Sequence, residues 1–221
     1  MRLPAPENCQ VFIDFDGTIT QRDLLDDLIV NCSVNDSWKE IEQLWQDGRI
    51  GSRQCLEEQF ALLRLDDATL EGFLDAVTLD PGFADLLQLL DRFNIPRAIL
   101  SDGIDGFIQR TLSRRGLETM LRANAVDRLG LELRLLTPHF RADCPCAAAH
   151  CKCASMGALH QNERRSIYIG DGRSDLCPSR KADFVFAKGA LAEALHREQR
   201  PFAPYQTLAD VKQFMERQWL T

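Results

Sequence analysis

Two aspartates, Asp14 and Asp16, stand where an apolar run near the N-terminus ends, and Gly17 follows them directly. Carboxylates this close together repel each other and raise each other's pKa unless a metal ion or another cation neutralises them. The pair therefore indicates a site that binds a cation and attacks an electrophile. Aspartate before glycine is also common in turns and at helix N-termini, so this motif alone is equally consistent with a surface turn.

Further polar residues follow two later apolar runs, and a lysine lies between those runs. They are Ser101, Asp102 and Gly103, then Lys152, then Asp171 and Asp175. Singly, the serine fits a turn, the lysine a solvated surface and the last two aspartates a helix cap. Together they supply a nucleophile, a proton donor, a hydroxyl, a cation and oxygen ligands, which is the set that phosphoryl transfer requires.

The elements that must position these residues are predicted from hydrophobic periodicity. Short apolar runs at 10–14, 98–100, 167–169 and 184–186 predict buried parallel strands, and 123–126 with 131–136 predicts a weaker hairpin. Strands that alternate with helical segments predict an α/β fold with a doubly wound parallel sheet. Open sheets of this kind bind ligands beyond the carboxyl ends of their strands, where the polar residues stand.

Between residues 21 and 80 the period changes to 3.6, and four apolar helical faces follow one another. We predict an α-helical cap domain over 21–80, inserted into a core domain formed by 1–20 and 81–221. Asp80, Pro81 and Gly82 mark the return to the core. A last helix is expected within 202–221.

Composition limits the class of partner. The chain has 221 residues, of which 45% are hydrophobic and 27% charged, as in packed globular proteins. Its net charge of −7 disfavours a nucleic-acid partner, so a small molecule is expected. The first residues lack the apolar core of an export signal and no stretch is long enough to span a membrane, so we expect a cytoplasmic protein without a membrane partner. The oligomeric state is left open.

In their order and spacing, these motifs resemble those of the haloacid dehalogenase (HAD) superfamily phosphatases that carry a helical cap after the first motif. Asp14 to Thr18 match the first motif, Ser101 the second, Lys152 the third and Gly170 to Asp175 the fourth. The resemblance covers the whole chain. It implies a Rossmann-like, doubly wound core and a magnesium-dependent hydrolase of phosphate esters.

The resemblance also implies a role for each matched residue. Asp14 would be the nucleophile that forms an aspartyl-phosphate, and Asp16 would protonate the leaving oxygen and later deprotonate the attacking water. The phosphate would be bound by Ser101, Lys152 and the backbone N–H groups of Gly17, Thr18 and Gly103. Mg²⁺ would be held by Asp14, the Asp16 carbonyl and Asp171, with Asp175 as an outer ligand or orienting group.

Within the superfamily, the chain is similar to the methionine-salvage branch that hydrolyses 2-hydroxy-3-keto-5-methylthiopentenyl-1-phosphate. The similarity lies in three segments: residues 14–20 together with Asp23, the cysteine-rich stretch before Lys152, and residues 204–206 near the C-terminus. Residues 170–178 also resemble the phosphoethanolamine and phosphocholine phosphatases. Asp23 stands where phosphoserine phosphatases carry a glutamate that holds the substrate amine, which makes it a residue for substrate selection. A phosphotransferase and a phosphate-sensing protein without turnover are the remaining alternatives, and the second is disfavoured because no catalytic position is missing.

Four of the eight cysteines cluster around the motif lysine, at Cys144, Cys146, Cys151 and Cys153, with His139 and His150 nearby. In an intracellular protein of this size, cysteines are more often thiols or metal ligands than disulfides. A structural zinc site that fixes the lysine loop is one interpretation. Free thiols and a disulfide are the others, because the spacing differs from the usual zinc knuckles.

Overall fold

The computed structural model describes residues 2–144, 146–161 and 163–220. Seven strands in this part of the chain form one sheet. They are β1 (Cys9–Ile13), β2 (Arg97–Ile104), β3 (Met120–Leu129), β4 (Glu132–Leu136), β5 (Arg165–Gly170), β6 (Phe184–Ala187) and β7 (Ala203–Pro204). Their order is β4-β3-β2-β1-β5-β6-β7, and every neighbouring pair is parallel except the β3–β4 hairpin. The predicted doubly wound α/β fold is confirmed.

Ten α-helices accompany the sheet in the described residues. They are α1 (Leu24–Cys32), α2 (Trp38–Gln46), α3 (Ser52–Leu62), α4 (Asp67–Ala76), α5 (Phe83–Arg92), α6 (Asp105–Ser113), α7 (Lys152–Leu159), α8 (Leu176–Ser179), α9 (Gly189–Arg197) and α10 (Leu208–Trp219). The final helix was predicted within 202–221, and of that range Thr221 lies outside the described residues. No helix in the described part of the chain combines the length and apolar character needed to cross a bilayer.

Strands β1, β5 and β6 are buried on both faces, which explains their nearly continuous apolar sequence. In β1, Val11 and Ile13 belong to the main core, whereas Phe12 between them belongs to a second core on the other face, with Met156 and Tyr168. β1 lies in the middle of the sheet, where the chain order reverses between its neighbours β2 and β5. Sheets of this topology bind ligands at that switch point, beyond the strand ends.

Helices α1 to α4 form a helical insert (residues 21–80) between β1 and α5, with an apolar core of its own that includes Leu28, Phe60 and Leu74. The same core takes in Phe107 of α6 and Leu133 of the hairpin, so the insert packs on the sheet at its β4 edge. α2 differs from the other three helices because none of its residues is fully buried. The division into a core domain and a mobile cap stays a prediction.

Candidate active site

β1 delivers Asp14 and Asp16 into a tight turn at its carboxyl end. The turn passes through Gly17 at φ 73°, a left-handed conformation that favours glycine. A Cβ atom at Gly17 would overlap Asp171 Oδ2. The motif glycine therefore serves two purposes, because it makes the turn and lets the fourth motif approach the first.

Lys152 joins the first, third and fourth motifs from the start of α7. Its Nζ lies 2.5 Å from Asp14 Oδ1, 2.7 Å from Asp175 Oδ1 and 3.0 Å from Ser174 Oγ. Burial alone would lower the pKa of this lysine, but the charges of Asp14 and Asp175 outweigh it and raise the pKa, so the ammonium stays protonated. All three ammonium donors are thus engaged within the protein.

Asp175 is fully buried and its two oxygens are held by four groups. Oδ1 accepts from Lys152 and, at 2.6 Å, from the Tyr168 hydroxyl. Oδ2 accepts from the backbone N–H groups of Asp171 and Gly172, each at 3.0 Å. Asp175 therefore positions the lysine and the turn that carries Asp171. This fits an orienting group better than a metal ligand.

Asp16 lies above the strand end, half-buried, and contacts both the second motif and the insert. Ser101 Oγ donates to Asp16 Oδ2 over 3.4 Å, and the backbone N–H of Leu24 donates to Asp16 Oδ1 over 3.0 Å. Burial and then the charge of Asp23 raise the pKa of Asp16 well above its usual range. A carboxyl group with a raised pKa can both give and take a proton near neutral pH.

β2 does not end at Leu100 as predicted but continues to Ile104 through an irregular register. Between Leu100 and Ile104, its pairing with β3 skips residues, as in a β-bulge, and Ser101 sits in this interval. Bulges beside functional sites redirect a side chain out of the strand alternation. Here the local distortion leaves the Ser101 hydroxyl beside Asp16.

Sequence reasoning missed the role of His150, which it noted only as a neighbour of the cysteines. His150 is fully buried. Its Nδ1 donates to the Ser101 carbonyl over 2.7 Å, and its Nε2 accepts from Ser155 Oγ over 2.6 Å. Burial lowers the pKa of His150 to about 3, so the ring is neutral. It ties the second motif to the loop that carries Lys152, and only its position two residues before that lysine hinted at this.

Three carboxylates, those of Asp14, Asp171 and Asp175, offer oxygens that lie within 4.8 Å of one another. Burial, and then the charges of Asp175 and Asp171, raise the pKa of Asp14, and Lys152 offsets this only in part. A divalent cation would relieve this repulsion, and an all-oxygen donor set suits Mg²⁺. Because both oxygens of Asp175 already accept two hydrogen bonds each, Asp14 and Asp171 are the carboxylates that fit such an ion.

The N–H groups that are expected to bind phosphate donate to groups within the protein. Gly17 donates to Thr20 Oγ1 over 3.1 Å, Thr18 to the Phe15 carbonyl over 3.3 Å and Gly103 to Ser101 Oγ over 2.8 Å. The turn after β1 is so tight that its donors fold back on the turn itself. The Thr18 side chain donates to Asp171 Oδ1 over 2.7 Å, so it orients that carboxylate.

A cavity of about 410 Å³ opens above these groups, a size suited to a small metabolite. Its floor is made by Asp14, Asp16, Ser101, Lys152 and Asp171, and its roof by the insert. Arg173 connects the two sides, because its Nη1 donates to the Gln46 carbonyl over 3.2 Å and its guanidinium stacks 5.5 Å from the Trp45 ring.

The roof of the cavity is partly acidic. Asp23, Asp26 and Glu42 all line it, beside the apolar side chains of Trp45 and Leu56. Asp23 also caps α1 by accepting from the Asp26 N–H over 3.0 Å. Partial desolvation, and then the charges of Asp23 and Glu42, raise the pKa of Asp26 from 3.8 to about 7. The roof thus favours a cation or a proton near Asp26.

The cysteines meet in a different combination from the predicted one. The thiols of Cys144 and Cys146 lie within 4.8 Å of each other and of Cys177, which the sequence analysis did not include. Cys151 and Cys153 lie outside this group of three, although Cys153 Sγ is 2.8 Å from Cys177 Sγ. All eight cysteines are free thiols.

Comparison with known proteins agrees with this geometry. A family model described as Putative Phosphatase matches residues 9–210, a span that includes all four motifs and the insert. The chain belongs to this family. A 2-hydroxy-3-keto-5-methylthiopentenyl-1-phosphate phosphatase of Lysinibacillus sphaericus is 29% identical over 218 residues, which cover 93% of this chain and 95% of that protein. A phosphatase of the same description from Microcystis aeruginosa is 27% identical over 210 residues, covering 93% of this chain and 96% of the relative.

Solved structures share the fold of this Putative Phosphatase family member. A substrate-bound phosphoserine phosphatase superposes with a TM-score of 0.69 at 16% identity, covering 95% of this chain and 98% of the other. The family match identifies the chain as a phosphatase, a hydrolase of phosphoric monoesters, and it shares the fold of the phosphoserine phosphatases.

Proposed function

We propose that the chain is a Mg²⁺-dependent phosphomonoesterase that works through an aspartyl-phosphate on Asp14. The observation that carries this proposal is that Asp14 and Asp16 face one cavity together with Ser101, Lys152 and Asp171. The ammonium of Lys152, 2.5 Å from Asp14, is placed to neutralise charge on an incoming phosphoryl group.

In the first proposed step, a carboxylate oxygen of Asp14 attacks phosphorus and the bond from phosphorus to the ester oxygen breaks. Asp16 gives its proton to the departing alkoxide, so an alcohol leaves and an acyl phosphate remains on Asp14. In the second step, Asp16 takes a proton from water as the water oxygen attacks the same phosphorus. Inorganic phosphate leaves and the Asp14 carboxylate is restored.

Mg²⁺ is the proposed cofactor, held by Asp14, Asp171 and the carbonyl of Asp16. When bound, it would neutralise negative charge on the phosphoryl oxygens. Thr18 and Asp175 would keep Asp171 in place through the hydrogen bonds described above. Ser101 would donate to a phosphoryl oxygen in place of its long contact to Asp16.

The helical insert is proposed to be a cap domain (residues 21–80) that excludes water and selects the substrate. The contacts of Arg173 with Gln46 and Trp45 support this role, because they join the fourth motif to the insert above the cavity.

The first candidate substrate is 2-hydroxy-3-keto-5-methylthiopentenyl-1-phosphate, the substrate in the name of the relatives that cover most of this chain. The apolar part of the roof supports it, since Trp45, Leu56 and Leu25 could pack against a methylthio group.

The second candidate substrate is the phosphate ester of an amino alcohol, such as phosphoserine, phosphoethanolamine or phosphocholine. It is favoured by the acidic part of the roof, where Asp23, Asp26 and Glu42 would attract a positive charge. Asp23 would then take the amine-holding role.

The test is a panel of these four phosphate esters and an aryl phosphate, each assayed with Mg²⁺ and after its removal. We expect hydrolysis of the aryl ester only with the metal, and a KM that identifies one of the two substrate classes. Glu42→Gln should raise KM for an amino-alcohol ester, whereas KM for the methylthio ester should stay the same or fall. Phosphate release that is independent of divalent metal would contradict the proposed mechanism.

A further inference from the structure

We propose a structural zinc site in which Cys144, Cys146, Cys151 and Cys177 bind one Zn²⁺ through their thiolates and fix the loop that carries Lys152. The first three cysteines come from the segment before α7, and the fourth comes from α8, directly after the turn of Asp171 and Asp175. The site would lie outside the cavity. It would link the loop before Lys152 to the turn that carries Asp171 and Asp175.

The geometry of three thiols carries the proposal. The sulfur atoms of Cys144, Cys146 and Cys177 lie within 4.8 Å of one another, although Cys177 is more than thirty residues away in sequence. Tetrahedral zinc with bonds of about 2.3 Å needs sulfur atoms about 3.8 Å apart, so rotation of side chains alone could close the site. Thiolates are soft ligands, and four of them form a common structural zinc site.

Cys151 is assigned as the fourth ligand because it belongs to the loop of Cys144 and Cys146 and directly precedes Lys152. The thiols of Cys144 and Cys177 both act electrostatically on the Cys151 thiol. Cys153 Sγ lies 2.8 Å from Cys177 Sγ, but Cys153 is not in the group of three thiols. We therefore place Cys153 beside the site rather than in it.

The surroundings suit a site of net negative charge. A zinc ion with four thiolates carries two negative charges, which need nearby cations in a half-buried position. Arg180 lies within electrostatic reach of Cys146 and Cys177, and Lys181 within that of Cys153. Cys146 is exposed, so an ion has a path from solvent.

The cysteine loop is also held from the other side by the helical insert. The Ala149 N–H donates to Ser52 Oγ over 3.1 Å, and the Arg53 N–H donates to the Ala147 carbonyl over 3.3 Å. The Arg53 guanidinium stacks 4.1 Å from the Phe140 ring. The loop thus already contacts α3. The zinc would link the same loop to α8, and it would lie close to Lys152, which follows Cys151 in the chain.

The test begins with zinc analysis of protein purified from zinc-supplemented cells under reducing conditions without chelator. We expect about one zinc per chain, as in structural tetrathiolate sites. Cys177→Ser and Cys146→Ser should lose most of the metal, whereas Cys32→Ser, which removes a half-buried thiol of the insert, should keep it. Cys153→Ser should also keep it.

A second measurement uses the unmodified chain, in case the variants fail to fold. Zinc-depleted protein is titrated with Co²⁺, and we expect the visible absorption of a tetrahedral thiolate complex that saturates at about one ion per chain and disappears when Zn²⁺ is added. Alkylation followed by peptide mapping should show the four ligand cysteines protected until a chelator is added.

Protein without zinc that also takes up no Co²⁺ would overturn the proposal. So would a Cys153–Cys177 disulfide found by non-reducing peptide mapping, because it would remove Cys177 as a ligand. Both results are independent of turnover. The effect on catalysis rests on the proposed function: zinc-depleted protein should have a lower kcat that added Mg²⁺ does not restore, together with a lower melting temperature.

Discussion

Replacing His150 with phenylalanine should reduce both stability and turnover, although His150 does not line the cavity. The ring is fully buried and makes two hydrogen bonds, one to the Ser101 carbonyl and one from the Ser155 hydroxyl. Phenylalanine fills a similar volume but offers neither a donor nor an acceptor. The substitution therefore isolates the hydrogen bonds from the packing.

The magnitude follows from what the substitution leaves unpaired. A buried carbonyl without its donor costs about 1–3 kcal/mol, and a hydroxyl that loses one partner costs about 1 kcal/mol. We expect a loss of about 2–4 kcal/mol in the free energy of unfolding. Since His150 aligns Ser101 with the Lys152 loop, a displacement of about 1 Å should lower kcat by up to about 100-fold.

The assay is chemical unfolding of metal-free protein, paired with steady-state hydrolysis of an aryl phosphate in saturating Mg²⁺. Ser155→Ala serves as the matched control, because it removes only one of the two hydrogen bonds; it leaves the buried Nε2 unpaired and should cost about 1–3 kcal/mol. His150→Asn keeps a donor near the Nδ1 position and should recover part of kcat. Wild-type kcat and stability in His150→Phe would refute the positioning role.

Three further predictions concern other parts of the site. Gly17→Ala should lower kcat at least tenfold and destabilise by about 1–3 kcal/mol, because the turn is left-handed and the new Cβ would meet Asp171; Gly72→Ala, in open space on α4, is the control and should not destabilise. Tyr168→Phe should cost about 2 kcal/mol in urea unfolding, since it removes a hydrogen bond to a charged carboxylate, and an unchanged midpoint would contradict that bond. Asp26→Asn should stabilise the protein increasingly as pH rises from 3.8 to about 7 and evenly above that, because the raised pKa means that the folded state keeps a proton which the unfolded state has lost. A stability difference that does not vary with pH, measured by thermal unfolding, would contradict it.

The fold was largely predictable because its signals are local. The parallel strands β1, β5 and β6 and the first half of β2 are short apolar runs, and each helix of the insert has an apolar face at period 3.6. What local patterns missed came from packing: β2 continues past Leu100 through an irregular register, and α2 buries no residue despite its apolar stripe. The extension of β2 and the exposure of α2 both depend on what packs against them, and not only on their own sequences.

The motif residues were predictable for the same reason, since each follows a recognisable strand. Asp14, Asp16, Ser101 and Lys152 all line the cavity, as expected, while their catalytic roles stay predictions. The partners that hold them were not predictable from spacing. Cys177 joins two cysteines from a distant segment through tertiary contact only, and His150 acts through its ring rather than as a possible metal ligand.

The backbone donors show a further limit of motif reasoning. The N–H groups of Gly17 and Gly103 stand at the expected positions in the sequence, yet both donate to neighbouring side chains. A motif states which atoms are near a site, but the competition among local acceptors decides where each donor points. Binding of a phosphate would have to displace these contacts.

The central claim is that Asp14 carries the phosphoryl group, and acid quenching during turnover tests it most directly. Protein mixed with Mg²⁺ and excess phosphate ester is quenched within the first turnover, digested and analysed by mass spectrometry. We predict a phosphorylated peptide that contains Asp14 and is absent from Asp14→Asn, while Asp36→Asn, which changes an exposed aspartate of the insert, still forms it. Turnover of the ester by Asp14→Asn at the wild-type rate, or phosphate on another residue, would contradict the account.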